Sequence, residues 1–212
     1  MAPDQERAGL AGLLLTGGRS RRMGFDKSTL TVEGVANCER LASLLSSVVG
    51  AAVEVGPGRS SLPAVLETDR GSGPLAALVA GTEALRRRGH HGPVVVVACD
   101  LPLLSAPALR MIARWPAEAS VVPVVEGMPQ PLCARWSVAG LAEAARLLAS
   151  GERSMRRLLG GPGVVLLGEE RWPAGVEARM LADVDSPADL ARLGLRFGVA
   201  GKSDRDAAAA QA

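Results

Sequence analysis

The sequence is poor in aromatic residues and carries only a small excess of positive charge. Its 212 residues include no tyrosine, two phenylalanines and three tryptophans, so aromatic side chains make up 2% of the chain. Proteins that bind single-stranded nucleic acid usually stack the bases on aromatic side chains. A formal net charge of +2 is also too small for the basic surface that such proteins present. We therefore expect no nucleic-acid partner.

Cysteine is scarce, and its positions exclude the common cysteine-based sites. Cys38, Cys99 and Cys133 are far apart and form no C-x-x-C pair. A zinc site or a disulfide framework is therefore not expected, and isolated cysteines fit a reducing cytoplasm. We interpret Cys99 as a residue of a core strand rather than a nucleophile.

Long apolar segments are missing as well. The first residues, MAPDQERAG, are polar and charged and lack the apolar core of a signal peptide. No run approaches the roughly 20 apolar residues of a transmembrane helix. We expect a cytoplasmic protein without membrane association.

Aliphatic residues, in contrast, are abundant. Hydrophobic residues make up 48% of the chain, so leucine, valine and alanine must build the core. The length and the alternation of predicted strands and helices indicate one α/β domain. We expect this domain to be Rossmann-like, with a mostly parallel sheet flanked by helices on both faces. It should span residues 1–197, and the small polar tail 198–212 should be disordered.

The hydrophobic pattern alternates between strands and helices along the chain. Extended segments are predicted at 30–32, 52–55, 64–66, 93–100, 120–125, 130–134, 164–167 and 178–181. Helices are predicted at 35–48, 75–88, 106–114 and 141–148, with a short one from about 151 to 160. Turns are expected at residues 126–127, and Ser186 and Pro187 suit the N-cap and first position of a last helix. The strand 93–100 is the most apolar and ends on Asp100, at the strand end where ligands gather in open α/β sheets.

The segment AGLLLTGGRSRRMGFDK, residues 11–27, is the most informative part of the chain. An apolar strand opens into Gly17 and Gly18, where the backbone can take a positive φ and approach a ligand closely. A loop follows that contains the basic residues Arg19, Arg21, Arg22 and Lys27. Backbone N–H groups, arginine forks and a lysine all favour phosphate. A solvated basic loop is the alternative interpretation.

The two best-known phosphate-binding motifs do not fit this segment. In a P-loop, lysine directly follows the second glycine, whereas Gly24 here is followed by Phe25 and Asp26. The dinucleotide motif G-x-G-x-x-G is excluded because Gly17 and Gly18 are adjacent.

The order L-T-G-G-R-S-R-R-M-G-F-D-K resembles the signature loop of the nucleotidyltransferases that activate the molybdenum cofactor, L-A-G-G-x-S-x-R-M-G-x-D-K. The nearest family is that of the molybdenum cofactor guanylyltransferases, in which alanine usually occupies the position of Thr16. Three later segments resemble further family motifs in the same order: D-R-G-S-G-P-L from Asp69, C-D-L-P-L-L around Asp100, and D-V-D-S-P from Asp183. The resemblance therefore covers nearly the whole predicted domain.

The resemblance implies a role for individual residues. It implies catalytic roles for Arg22, Lys27 and Asp100, the first two stabilising the triphosphate. Nucleotide binding is implied for Leu15, Thr16, Gly17, Gly18, Lys27, Asp69 and Asp100. Asp100 would hold Mg²⁺, the expected cofactor, with Asp185 as a second candidate ligand. The implied acceptor-side residues are Gln130, Pro131, Arg153 and Asp183.

The activity implied by the resemblance is transfer of GMP from GTP to the phosphate of molybdopterin, with release of pyrophosphate. GTP and molybdopterin are thus the expected partners, with molybdoenzymes or other cofactor-biosynthesis proteins as further candidates. In the family, L-x-G-G accompanies guanine and L-A-A-G accompanies cytosine, so Gly17 favours GTP. The alternatives are a cytidylyltransferase, a transferase for another phosphate acceptor, and a non-catalytic nucleotide-binding regulator or adaptor.

Several of these residues also have structural interpretations that the sequence leaves open. Asp69 could occupy a simple turn. Asp183 or Asp185 could serve the start of the last helix as a cap. Asp100 could be an ion-pair partner, and His90 and His91 fit an exposed pair at a helix end.

Overall fold

An eight-stranded sheet forms the centre of the fold in the computed structural model, which describes residues 7, 9–17, 30–32, 34–66, 72–115, 118–194 and 198–199. The strands are β1 (Ala11–Leu15), β2 (Leu30–Val32), β3 (Val35–Ala36), β4 (Ala51–Val55), β5 (Ala64–Val65), β6 (Val94–Ala98), β7 (Ser120–Val125), β8 (Met128–Pro129), β9 (Cys133–Trp136), β10 (Val164–Leu167) and β11 (Gly198–Val199). The helices are α1 (Asn37–Ser46), α2 (Pro74–Arg87), α3 (Ala106–Ala113), α4 (Val138–Ala149), α5 (Met155–Leu159) and α6 (Pro187–Arg192).

The large sheet is mixed but mostly parallel, as predicted. Its strand order is β10-β7-β9-β6-β1-β4-β5, and β8 pairs with β7. β1 runs parallel to β4 and β6, β4 is parallel to β5, and β7 is parallel to β10. β9 runs antiparallel between β6 and β7, and β8 forms an antiparallel hairpin with β7. The carboxyl ends of β1, β4 and β6 therefore meet at one edge of the sheet.

Two apolar cores lie on opposite faces of this sheet. Leu13 and Val96 belong to one core, which contains residues of α2 and α4. Leu14 and Val97 belong to the other, which contains residues of α1 and α3. Every residue of β1 and β6 is buried, as expected for parallel strands covered on both faces. The prediction of helices on both faces is confirmed.

Glycines allow the helices to pack closely on the sheet. A Cβ at Gly12 would lie 2.6 Å from the side chain of Leu45 in α1. A Cβ at Gly81 of α2 would lie 2.7 Å from side-chain carbons of Leu13 and Val55. Both glycines remove a side chain from a helix–sheet contact.

The predicted strand at 178–181 is wrong. Ala178–Leu181 forms one turn of 3₁₀ helix, and Glu169–Arg171 forms another. Of the first turn, Leu181 is fully buried, in the core beside α1 and α3. A short apolar run does not distinguish a strand from a helical turn.

Three boundaries also differ from the prediction. Val35 and Ala36 pair with β2 as β3, so the helix predicted from residue 35 begins at Asn37. The extended segment 130–134 becomes a strand only from Cys133. Gly198 and Val199, the first two residues of the predicted tail, pair antiparallel with β2. In the described part of the chain, no helix has the length and apolar content needed to cross a bilayer.

Candidate active site

β1 ends at the sheet edge where the predicted nucleotide-binding residues lie. The backbone N–H groups of Thr16 and Gly17 both donate to the Val55 carbonyl, at 3.1 and 3.3 Å, so the chain stays beside β4 as it leaves the sheet. Gly17 is exposed, and its φ lies outside the left-handed region that glycine could adopt there. Among the described residues, an added Cβ would meet only the Val55 carbonyl, at 3.8 Å. The described fold therefore does not itself require glycine at this position.

The hydroxyl of Thr16 is directed into the protein. Thr16 is buried, and its Oγ1 donates to a carboxylate oxygen of Glu54, on the neighbouring strand β4. A Cβ at Gly56 would overlap this hydroxyl, and Gly56 has a φ of 154°. Thr16, which replaces the alanine usual in the family, thus forms a buried hydrogen bond between the end of β1 and β4.

Glu54 organises the loop that follows β4. Its buried carboxylate accepts hydrogen bonds from the N–H groups of Gly58, Arg59 and Ser60 at 2.7–2.8 Å, and from the Ser60 hydroxyl at 2.7 Å. Burial raises the pKa of Glu54, but the hydrogen bonds from Thr16, Arg59 and Ser60 outweigh burial and hold this pKa below its usual range. Glu54 is therefore ionised and fixes the loop to the end of β1.

Three aspartates meet at the carboxyl end of β6. Carboxylate oxygens of Asp100, Asp183 and Asp185 all lie within 4.8 Å of one another. Asp100 is half-buried and Asp185 is exposed. Negative charges this close repel each other, and oxygen ligands in such a group suit a hard divalent cation such as Mg²⁺ or Mn²⁺. The donor set therefore fits a divalent metal.

The loop that contains Asp183 and Asp185 is held against the end of β6. The Val184 N–H donates to the Asp100 carbonyl at 2.9 Å. The Val184 side chain is buried in a small apolar cluster with Leu30 and Leu190. With Val184 anchored in this way, the two flanking aspartates lie beside Asp100.

Ser186 and Asp189 cap the start of α6, so Asp183 and Asp185 do not. Ser186 accepts a hydrogen bond from the Asp189 N–H, and Asp189 accepts one from the Ser186 N–H at 2.8 Å, which is a capping box. The prediction of Ser186 as N-cap is confirmed. Asp189 also accepts from the Asp185 N–H at 3.1 Å, which ties the cap to the acidic loop.

The predicted acceptor-side residues Gln130 and Pro131 lie beyond β6 at the same edge. The next residue, Leu132, accepts a hydrogen bond from the Ala98 N–H at 2.9 Å. The indole of the buried Trp136 donates to the Pro131 carbonyl at 3.2 Å, and the Gln130 N–H donates to the Pro123 carbonyl at 2.8 Å. Because β9 is antiparallel, the residues before this strand reach the edge formed by the ends of β1 and β6.

Arg153 lies against the start of α2. A Cβ at Gly73, the N-cap of α2, would lie 3.2 Å from the Arg153 carbonyl oxygen. The exposed Arg153 guanidinium donates to the carbonyls of Leu148 and Glu152, at 3.2 and 3.0 Å. The backbone of Arg153 thus packs beside Gly73, while its guanidinium caps the end of α4. Gly18, Arg22, Lys27 and Asp69 lie outside the described residues.

Sequence reasoning missed three residues of this edge: Asn37, Arg40 and Glu54. Asn37 donates to the Cys99 carbonyl at 2.9 Å, and Arg40 donates to the carbonyls of Leu101 and Leu104. The available signal was weak, namely an acid within the apolar segment AAVEV and a polar residue at the buried start of a helix. Each of these side chains has a hydrogen-bond partner 38–64 positions away in the sequence, which no local pattern indicates.

The cysteines and His90 do not belong to this chemistry. Cys38, Cys99 and Cys133 are buried thiols. Burial, with a smaller contribution from the Asp100 charge, raises the pKa of Cys133 far above its usual value, so this thiol stays protonated. His90 contacts the Pro93 carbonyl before β6, at the other edge of the sheet.

Comparison with known proteins places this geometry in a family. The profile of the MobA-like NTP transferase domain matches residues 12–165. The molybdenum cofactor guanylyltransferase of Rhodobacter capsulatus is 32% identical over 190 residues, which cover 86% of this chain and 94% of the relative.

Solved structures share the fold. Molybdopterin-guanine dinucleotide biosynthesis protein A from Archaeoglobus fulgidus matches with a TM-score of 0.70 at 22% identity, over 86% of this chain and 96% of that one. Rv0371c from Mycobacterium tuberculosis H37Rv, in complex with manganese, matches with a TM-score of 0.63 at 18% identity, over 88% and 98% of the two chains. The sequence match over most of its length shows that the chain belongs to the MobA-like NTP transferase domain family.

Proposed function

We propose that the protein transfers GMP from GTP to the terminal phosphate of molybdopterin, forming a guanine dinucleotide and releasing pyrophosphate. Family membership makes the chain a nucleotidyltransferase, and a curated relative with 32% identity is a molybdenum cofactor guanylyltransferase. One observation carries the proposal for the site: Asp100, Asp183 and Asp185 converge within 4.8 Å beside the end of β6, which pairs with β1.

The reaction forms one bond and breaks another at the α-phosphorus of GTP. A phosphate oxygen of the acceptor forms the new P–O bond, and the bond from the α-phosphorus to the bridging oxygen breaks, so pyrophosphate leaves with the electron pair. This chemistry needs alignment and charge neutralisation more than a protein nucleophile. The buried, protonated state of the Cys133 thiol beside Asp100 agrees with a mechanism of this kind.

Asp100 would hold the divalent cation together with Asp183 or Asp185. Magnesium commonly uses one or two carboxylates together with substrate phosphate oxygens and water. When bound, the ion would supply positive charge to the triphosphate. The resemblance implies an acceptor-side role for Asp183. Because its carboxylate lies within 4.8 Å of those of Asp100 and Asp185, we propose it as a candidate metal ligand as well.

The nucleotide would enter at the end of β1. Gly17 is exposed there without a structural need for glycine, which supports close approach of a ligand to its backbone. The Thr16 hydroxyl is hydrogen-bonded to Glu54 inside the fold. We therefore keep the preference for guanine that the resemblance implies through Gly17. Gly18, Arg22, Lys27 and Asp69 are proposed to bind the nucleotide and its triphosphate, as the family resemblance implies.

The acceptor would lie on the other side of the metal. Gln130 and Pro131 are proposed acceptor contacts because their segment reaches the carboxyl edge beside β6. Arg153 is proposed to contribute through its backbone position beside Gly73.

Turnover of GTP, CTP and ATP with Mg²⁺ and molybdopterin tests the proposal. Release of pyrophosphate with formation of the guanine dinucleotide is the expected result. Preferential use of CTP would establish the cytidylyltransferase alternative, and nucleotide binding without turnover would establish the regulator alternative.

Substitution of the aspartates tests the metal assignment. We expect Asp100→Asn to lower activity with Mg²⁺ by roughly a hundredfold or more, because it removes a charge that acts at the triphosphate. Asp183→Asn and Asp185→Asn should have smaller effects, since magnesium needs few protein ligands. Activity is measured against Mg²⁺ concentration, with Glu83→Gln on the exposed face of α2 as the control. Full activity of Asp100→Asn with a large loss in Asp185→Asn would show that the loop with Asp183 and Asp185, rather than Asp100, holds the metal.

A further inference from the structure

Two side chains of α1 hold the loop that contains Asp100. The Asn37 Nδ2 donates to the Cys99 carbonyl at 2.9 Å. The two terminal nitrogens of Arg40 donate to the carbonyls of Leu101 and Leu104, at 2.9 and 2.8 Å. One helix thus fixes three carbonyls in the six residues that follow β6.

The two side chains also support each other. The Nε of Arg40 donates to the Oδ1 of Asn37 at 3.0 Å. Residues three apart on a helix lie on the same face, so both side chains can reach one loop. Asn37 is fully buried and Arg40 is half-buried, which protects these hydrogen bonds from water.

The result is a fixed backbone on both sides of Asp100. The carbonyl before it is held by Asn37, and the carbonyl after it is held by Arg40. The carbonyl of Asp100 itself accepts from the Val184 N–H. With these three carbonyls held, the Cα–Cβ bond of Asp100 has a set direction relative to Asp183 and Asp185.

We propose that Asn37 and Arg40 are positioning residues that set the divalent-cation affinity of the Asp100 site; this inference rests on the proposed function. Neither side chain is a metal ligand. They act through the backbone that carries the ligand, as partners behind metal ligands do in other proteins.

Arginine is required for this role in a way that lysine is not. Its planar fork donates to two carbonyls while Nε donates to Asn37. A lysine has one ammonium group and cannot reproduce this spacing. Arg40→Lys should therefore lie between the wild type and Arg40→Met in cation affinity.

Manganese binding measured by electron paramagnetic resonance tests the proposal without turnover. Mn²⁺ is titrated into the full chain with excess GTP and no acceptor. Since loss of a partner behind a ligand typically weakens metal binding 10–100-fold, we expect about a tenfold loss for Arg40→Met. Arg110→Met, which removes an exposed arginine from α3, is the matched control and should bind Mn²⁺ like the wild type.

Rescue by metal distinguishes positioning from general destabilisation. At saturating Mn²⁺, Arg40→Met should regain kcat to within about twofold of wild type, because its Asp100 ligand is still present. A protein that is merely less folded would show a lower active fraction at every metal concentration. Unchanged Mn²⁺ affinity in Arg40→Met, or a kcat loss that metal does not restore, would overturn the proposal. Arg40→Lys provides the same comparison if Arg40→Met does not fold.

The same titration separates this inference from the proposed function. If Asp100→Asn binds Mn²⁺ as tightly as wild type, the metal site itself is placed wrongly. If Asp100→Asn loses Mn²⁺ while Arg40→Met and Arg40→Lys keep it, only the role of Asn37 and Arg40 is wrong.

Discussion

Gly17 and Gly56 are glycines at the same edge of the sheet with different structural requirements. Gly56 has a positive φ, and a Cβ there would overlap the Thr16 hydroxyl, whereas a Cβ at Gly17 would meet no described residue closer than 3.8 Å. We expect Gly17→Ala to keep the wild-type Tm and to weaken GTP binding. Gly56→Ala should cost roughly 2 kcal/mol of unfolding free energy, because a strained backbone conformation adds to the steric overlap.

Thermal unfolding and calorimetric titration with GTP and Mg²⁺ measure these two effects separately. Gly56→Ala is the control for structural damage. A large loss of Tm in Gly17→Ala, with GTP affinity retained once the protein is folded, would contradict a ligand-binding role for Gly17.

The buried carboxylate of Glu54 makes stability depend on pH. Its pKa is lower in the folded protein than in the unfolded chain, so the folded state binds fewer protons. The stabilisation is therefore complete above the ordinary carboxyl pKa of about 4.5, and it is lost as pH falls from there through the folded value. Glu54→Gln should remove this part of the acid dependence.

Glu54→Gln should also lower stability at neutral pH by at least about 2 kcal/mol, because charged acceptors are replaced by an amide that meets several donors. Chemical denaturation at pH 7 and at pH 3 gives the two free energies. The difference between the variants should be smaller at pH 3. An equal or larger difference at pH 3 would show that Glu54 is not ionised in the folded protein.

At the scale of elements, the capping box of α6 determines the position of the acidic loop. α6 has only six residues, and its cap is hydrogen-bonded to the N–H of Asp185. We expect Ser186→Ala to lower the unfolding free energy by about 1 kcal/mol, the usual cost of losing an N-cap. It should also raise the Mg²⁺ concentration needed for half-maximal activity, because Asp183 and Asp185 precede the cap.

Ser154→Ala is the matched control, since it removes the N-cap of α5, a helix of five residues. Denaturation curves and Mg²⁺ titrations of both variants give the comparison. An equal shift in Mg²⁺ dependence for both variants would mean that the cap has no specific effect on the acidic loop.

The elements that the sequence predicted well are those with strong local patterns. The continuous apolar run before Asp100 predicted β6, and the glycine turn at residues 126–127 predicted a reversal that the structure forms between β7 and β8. The direction of β9 was not predictable from local patterns. This strand pairs antiparallel with β6, which is distant in the sequence, and with β7, from which β8 separates it. The 3₁₀ turn at Ala178–Leu181 was missed because a short apolar run does not distinguish a strand from a helical turn.

The residues of the candidate site also divide into those with a local sequence pattern and those without one. Asp100, Asp183 and Asp185 could be selected from short motifs, and the structure brings their oxygens together. Asn37, Arg40 and Glu54 act through contacts that exist only after folding, so their roles had no local signature.

At the scale of the whole molecule, the candidate site lies at one edge of the sheet, and the opposite edge serves as the reference for ligand-binding experiments. The opposite edge has an open cleft of about 540 Å³, lined by residues that include Arg7, Ser46 and Arg88. We expect GTP with Mg²⁺ to slow amide hydrogen exchange at Gly17 and Val184, because ligand binding suppresses local opening near the site. Amides around Ser46 and Arg88 should exchange at unchanged rates. Hydrogen exchange read by mass spectrometry measures both edges in one sample, and protection of the reference cleft alone would place the nucleotide there.

The reversed direction of β9 has a consequence for how this protein can diversify. Gly17 and Asp100, the proposed nucleotide and cation contacts, follow β1 and β6. Gln130 and Pro131, the proposed acceptor contacts, precede β9 and are joined to the hairpin of β7 and β8. Insertions in this hairpin would alter the wall next to the acceptor while the register of β1 and β6 stays unchanged. The proposed acceptor wall can therefore change in length and sequence without a change in the strands that carry the proposed nucleotide and cation contacts.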